Sequence, residues 1–305
     1  MRSEGTITHT RALSPKWDLQ VSLGGEYSEI SQGAQTRDFI RPKGFISTTY
    51  KPDDKFSIRT KLERKVGQLN FFDFVDSVSL EDNLNSTGNS NLVPSQSWAG
   101  EVEFDKQFTG GHSLKARFYG QQISDLVDRI PIGMDGDAVG NIDDAQRYGV
   151  EINSTVKGDD IGLKGMELNT ELTLQNSSVD DPLGGFSRRL NGDTKSYWSV
   201  SFRHDIPDSN WAWGFYSDQH LQAQVYRLNT INQFTFNGPW AHAFVEHKDV
   251  FGMKVNASIR NLFGASDDFV RTVYDSRRDI GEVIRFEDQS REFDLFFRLV
   301  VSGTF

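Results

Sequence analysis

Three short stretches of this chain hold side chains that could do chemistry. His242-Ala-Phe-Val-Glu246-His247 brings two imidazoles and a carboxylate together, the donor types of a hydrolytic zinc centre. Its spacing is neither His-Glu-x-x-His nor His-x-x-Glu-His. On a strand His242 and Glu246 also point away from His247, because side chains alternate between faces. The stretch therefore reads as a pair of histidines near a rim. Asp135-Gly-Asp-Ala-Val-Gly-Asn141 begins like a calcium loop, with Asp135, Asp137 and Gly140 in place. Val139 then fills a ligand position and Gln146 stands where a bidentate glutamate is needed, so a solvated loop is expected. Asp180-Asp-Pro-Leu-Gly-Gly185 reads as a turn whose carboxylates serve solvation rather than acid/base work. No phosphate-cradling glycine loop, nucleophile elbow or Cys/His arrangement occurs. The residues predict no enzyme, no metal site and no cofactor.

The elements carrying these residues are extended. The chain has 305 residues and no cysteine, so a disulfide framework and thiolate metal sites are excluded. A net charge of -10 argues against a nucleic-acid partner, since such proteins gather Lys and Arg to neutralise phosphates. No run of about 18 apolar residues provides a spanning helix. A mean hydropathy of -0.52 still suits a transmembrane barrel, in which only alternate residues of each strand meet lipid. Met1 leads straight into Arg2-Ser-Glu-Gly-Thr-Ile-Thr, with no apolar signal core.

Alternation supplies the fold class. From Arg291 to Phe305 one face carries Phe293, Leu295, Phe297, Leu299, Val301 and Phe305, while Glu292, Asp294, Arg298, Ser302 and Thr304 lie opposite with Phe296 and Val300. A slip of one residue would drive Glu292, Asp294 and Arg298 into lipid, so the phase is strongly fixed. Trp17 to Tyr27 alternates likewise. Phe56, Ile58, Leu62 and Val66 face away from Lys55, Arg59, Lys61, Glu63 and Lys65, a side too charged for a dry core. With Arg298, that basic side could attract an anionic substrate or could pair with carboxylates across a lumen.

Thr109-Gly-Gly-His112 marks a tight hairpin between Phe108 and Leu114. Polar stretches at 82–97 and 133–144 read as loops, the first following an aromatic cluster at Phe71, Phe72 and Phe74. Trp198, Val200, Phe202, Trp211, Trp213 and Phe215 open later strands, with tryptophans placed as in an interfacial girdle. About 14 strands follow, and no helical period persists. The expected fold is all-β, an antiparallel transmembrane β-barrel.

With these segments placed, residues 1–305 resemble the C-terminal barrel part of the TonB-dependent outer-membrane receptors. Asn89-Ser-Asn-Leu-Val-Pro-Ser-Gln-Ser-Trp-Ala-Gly-Glu101 is similar to a family segment at Asn89, Leu92, Pro94, Ser97 and Glu101, although Ser90 and Ser95 depart from it. Arg260-Asn-Leu-Phe-Gly264, with Tyr274 following, resembles the Asn-Leu-Phe turn that precedes the penultimate strand. The terminal Phe305 resembles the assembly signal of outer-membrane barrels, with Gly303 where a bulkier residue is common.

The resemblance implies a 22-stranded barrel around a plug. No plug domain is evident, so a fragment or truncated product lacking the TonB-contacting segment and the first barrel strands is expected. The resemblance also implies an outer-membrane lipid setting and recognition of the last strand by the barrel assembly machinery. Import of a scarce small-molecule ligand of siderophore, cobalamin, haem or oligosaccharide class follows from it too, with TonB acting only through the plug. The chain end is expected on the periplasmic side, together with the Asn261-Leu-Phe-Gly264 turn, and the 276–289 connection outside. Alternatives are a passive or non-functional truncated barrel and a soluble all-β binding module.

Overall fold

The structure, a computed structural model, describes residues 2–32, 35–69, 77–79, 84–86, 89, 91–132 and 136–303. Strands form wherever the two-residue period holds. β1 (Arg2–Ser14), β2 (Trp17–Gln32), β3 (Gln35–Asp53) and β4 (Phe56–Val66) pair as successive antiparallel neighbours. The next connection holds β5 (Ser77–Ser79) and β6 (Leu84–Ser86), after which β7 (Gln96–Gln107) pairs with β4. The meander continues through β8 (Ser113–Ile132), β9 (Gly136–Lys157) and β10 (Met166–Asp180). Past the two-residue β11 (Ser187–Arg188) it runs through β12 (Thr194–Asp205) and β13 (Trp211–Gln222).

The final third contains β14 (Val225–Tyr226), β15 (Thr230–Asn237), β16 (Trp240–Val250), β17 (Met253–Arg260), β18 (Ser266–Tyr274), β19 (Val283–Glu292) and β20 (Phe296–Ser302). β13 pairs with β16, β16 with β17 and β17 with β20 at one end of the sheet. β15 pairs with β18 and β18 with β19 at the other. The last six of these segments are thus three long strands, each interrupted once: at Gly238-Pro239, at 261–265 and at 293–295. Pro239 has no N–H to donate, which accounts for the first break. The sheet of twenty segments exceeds the expected strand number because breaks divide long strands and short segments decorate the loops.

Register sorts the residues onto two faces. One row runs Leu168, Phe202, Phe215, Ala243, Ile259, Phe297 across β10, β12, β13, β16, β17 and β20, apolar throughout. On the opposite face Arg59, Glu103, Arg117 and Glu151 stand abreast on β4, β7, β8 and β9. The apolar face is bare: Ile7, Phe297 and Leu299 are 81%, 78% and 68% exposed. So long an uncovered apolar surface belongs against lipid. On the polar side Ile123, Ala145, Val179 and Leu190 make a small core, with Leu126 and Ile142 packed on it. Among the described residues β1 pairs with β2 alone and is exposed along its whole length.

Several local expectations are corrected. Phe297, Leu299 and Val301 do share the apolar face, but the strand breaks after Glu292, and Phe293 lies on the polar side with its ring 6.1 Å from Trp240. Phe305 lies outside the described residues, as do Phe71, Phe72 and Phe74. Asn261-Leu-Phe-Gly264 is a mid-strand interruption between β17 and β18 rather than an end turn. The expected 276–289 connection narrows to a loop before β19 begins at Val283. The expected loop at 133–144 is largely strand, because β9 starts at Gly136 and pairs with β8 from Ile132 inward.

The hairpin at Thr109 forms as expected. Gly110 and Gly111 have φ of 75° and 80°, which side chains with a Cβ rarely adopt, and Gln107 pairs with Ser113.

Candidate functional site

The polar face divides into two halves of different chemistry. Over β4 and β7 to β9 it is a charge ladder. Arg59 and Arg117 each approach Glu101 at 2.8 Å, Arg117 reaches Glu151 at 3.0 Å, and Lys115 meets Glu103 at 2.9 Å. Lys61 and Lys65 both pair with Glu63. The basic side of β4 is therefore neutralised by neighbouring carboxylates, which favours the pairing reading of these residues over anion capture. Alternation placed the cations on this face; only register could show their partners.

Over β12 to β20 the polar face is aromatic. Tyr197 stands opposite His220 and Tyr216 opposite His242 by register, Trp240 and Phe244 share the face of His242 on β16, and Phe293 and Phe296 flank Trp240. His242 and Glu246 lie on this face, whereas His247 points to the apolar side, where Trp211 meets it edge-on at 4.6 Å. Glu246 is engaged by Arg203 at 2.8 Å and by Lys254. Among the described residues no group of three His, Cys, Asp or Glu is placed to hold a metal ion.

At the loop end of the sheet a buried ionic cluster ties three connections to the end of β8. Arg188 donates to Asp181 at 2.7 Å and to Asp128 at 3.3 Å, and Arg278 also donates to Asp181. The side chains of Asp181, Arg188 and Arg278 are 0%, 3% and 5% exposed. Both guanidinium groups lie over the Tyr226 ring, at 5.2 and 5.3 Å. Burial pushes the Asp181 carboxyl up, but hydrogen bonds from Arg278, the Gly184 N–H and Arg188 outweigh it and hold the group below the usual carboxylate range.

Asp181 does make the turn expected of it, accepting from the N–H groups of Leu183 and Gly184. Its carboxylate is buried and paired, however, and not a solvated loop charge. Asp137 is likewise held by Arg227 at 3.0 Å and by Arg129 at 3.5 Å. Asp135 lies outside the described residues. The Asn141 amide donates to the carbonyls of Val93 and Asp125, so the calcium-loop pattern serves strand and strap packing.

The 89–101 segment is a strap leading into β7. Asn89 donates to the Val139 carbonyl at 3.0 Å, Leu92 is buried, and Ser97 accepts from Gln121 at 2.8 Å before Glu101 joins the charge ladder. Arg188 and Arg278 were missed by local reading. Their only signal was a pair of adjacent arginines in each of two loops, Arg188-Arg189 and Arg277-Arg278.

Known structures share this fold. The FrpB iron transporter of Neisseria meningitidis (F5-1 variant) matches 98% of this chain at 12% identity, with a TM-score of 0.62. The ferric-catecholate import receptor Fiu of Escherichia coli K12 matches 99% at 11% identity and 0.61. FpvA of Pseudomonas aeruginosa, solved with bound pyoverdines, matches 88% at 9% identity and 0.66. The chain spans 46%, 45% and 35% of the lengths of these three proteins. No family model and no curated protein matches the sequence itself. With its antiparallel meander, apolar outer face and polar inner face, the chain has the fold of the TonB-dependent outer-membrane receptor barrels.

Proposed function

We propose that this chain is the barrel wall of an outer-membrane receptor that imports a scarce small molecule, of siderophore, cobalamin or oligosaccharide class. The observation that carries the reading is the register-sorted pair of faces: uncovered apolar rows outside, and paired charges and aromatic rings inside. Neighbours described as an iron transporter, a copper transporter and a siderophore receptor support import across this type of wall. In this reading the ligand meets the inner face at the loop end, no covalent chemistry occurs, and TonB acts through a plug segment not seen among these strands.

The barrel assembly machinery would recognise the last strand through Phe297, Leu299, Val301 and Phe305. The experiment is membrane assembly of the chain with and without Phe305. Normal surface levels after the deletion would remove the assembly role. Purification without detergent as a monodisperse monomer would overturn the membrane reading itself.

A further inference from the structure

At the short-turn end of the sheet the outer face carries a groove instead of a smooth wall. β13, β16, β17 and β20 bring Trp211, His247, Val255 and Val301 into one outward row and Trp213, Val245, Ala257 and Leu299 into the next. Ala257 is the smallest side chain in both rows, so the wall dips there between Val245 and Leu299. The dip belongs to a groove of about 600 Å³ bounded by Trp211 and by the turn between β16 and β17. That turn carries Phe251, which is 96% exposed and held at φ 55°, a conformation bulky side chains rarely adopt. Asparagine or glycine fits such a two-residue turn better, which marks the ring as kept for a contact outside the chain.

Two polar groups stand at the turn end of this apolar groove. Nδ1 of His247 accepts from the Asp249 N–H at 3.4 Å, and the edge-on Trp211 ring 4.6 Å away holds the imidazole plane. In the neutral ring the proton then sits on Nε2, a donor with no acceptor among the described residues. Asp249 is exposed; its Oδ1 accepts from the Gly252 N–H at 2.8 Å, and its Oδ2 has no donor among the described residues. The groove thus offers one donor, one carboxylate oxygen and an apolar trough, all on the side of the wall that faces lipid. A phosphate ester accepts from the imidazole, a primary ammonium donates to the carboxylate, and an acyl chain fills the trough over Ala257. Those three parts occur together in a glycerophospholipid with an ethanolamine headgroup. A glycerol headgroup has no cation for Asp249, and a choline headgroup has no N–H to donate.

We propose that this groove is a seat for a single phosphatidylethanolamine molecule, with Ala257 under the acyl chain, His247 on the phosphate, Asp249 on the ammonium and the Phe251 ring against the glycerol region. The seat rests on the membrane reading above and goes beyond it, since annular lipid exchanges without regard to headgroup whereas this position selects one.

The test is native mass spectrometry of the full chain folded in detergent, with dioleoyl phosphatidylethanolamine, phosphatidylglycerol and phosphatidylcholine supplied in equal amounts. One phosphatidylethanolamine is expected to stay bound in preference to the other two by about fivefold or more. Asp249→Asn should abolish the headgroup preference while leaving lipid binding in place. Ala257→Leu, which fills the groove, should weaken retention of all three lipids by about tenfold, and heat-shifted migration shows that both variants are folded. Equal retention of the three lipids by the parent, or a preference for either other headgroup, overturns the proposal, as does a preference that survives both substitutions. A dimer that Ala257→Leu disrupts, with no lipid retained, assigns the groove to a second copy and overturns it too. These outcomes leave the membrane reading intact, whereas a detergent-free monodisperse monomer overturns that reading and the seat with it.

Discussion

The side-chain amide of Asn261 donates to the main-chain oxygen of Phe293 at 2.5 Å, joining the interruption of one long strand to that of its neighbour. The same amide donates to the Ala265 carbonyl at 3.0 Å while its oxygen accepts from the Ala265 N–H at 2.7 Å. Asn261 is buried and holds φ at 58°, a left-handed conformation that asparagine tolerates better than most residues. Replacement by alanine removes three hydrogen bonds and adds backbone strain, so a loss of about 2 to 3 kcal/mol is expected. Asn261→Gly should lose about 1 kcal/mol less, because the strain is relieved. Urea unfolding of both variants in lipid vesicles checks the order.

The Asp181 cluster should make the loop end acid-sensitive. Its carboxyl is held below the ordinary range, so the folded protein keeps it ionised to a lower pH than the unfolded chain does. The resulting stabilisation is complete above the ordinary pKa of about 4 and drains away as pH falls through the lowered native value. The protection of amides in the 181–193 and 275–282 loops, measured against their unstructured exchange rates at each pH, should therefore fall below about pH 4 in the parent. Asp181→Asn should exchange faster at neutral pH and show a flatter response to acid.

Opposite faces of the last strand should respond oppositely to one charge. Leu299 lies on the bare apolar face and Val300 on the inner face opposite Asn256. Leu299→Arg should reduce stability in a bilayer by about 1 to 4 kcal/mol, according to depth, while Val300→Arg costs far less. Folding yield into vesicles, followed by heat-shifted migration, separates the two.

Arg117 is the hinge of the charge ladder, touching both Glu101 and Glu151. All three side chains keep some contact with solvent, so Arg117→Ala should cost only about 1 kcal/mol. Adding Glu151→Gln should recover part of the loss, because Glu151 loses its pairing with Arg117 whereas Glu101 keeps Arg59. A double-mutant cycle at two salt concentrations measures the coupling, which should shrink as salt rises.

The faces of the wall were legible in sequence because a one-residue slip would place several charges in lipid. Phe297, Leu299 and Val301 on the outside, and Arg59, Lys61 and Lys65 on the inside, follow from period alone. The breaks were not legible. Asn261 and Gly264 have the composition of a turn, and a bulge that flips phase within a strand leaves the same local pattern as a chain reversal. Phe293 was misplaced for that reason. The contact of Phe234 with Phe269 beside Gln289 depends on three strands meeting in register, so each phenylalanine read singly belongs to an ordinary alternating row. Asp181 was correctly placed in a turn, but its partners follow from which loops converge, and no local pattern encodes that.

The pairing of Arg278 with Asp181 spans 97 residues of chain, whereas the hairpins beneath it close across short turns. The entropy lost in closing a loop grows with its length, and contacts distant in sequence form only after local ones have reduced that cost. The cluster is accordingly a late event in folding: the sheet must zip from β10 through β18 before these side chains meet. A chain stalled before that step would carry a formed wall and unfastened outer loops, a kinetic intermediate recognisable by protease cleavage near Arg188 and Arg278 while the strands stay protected.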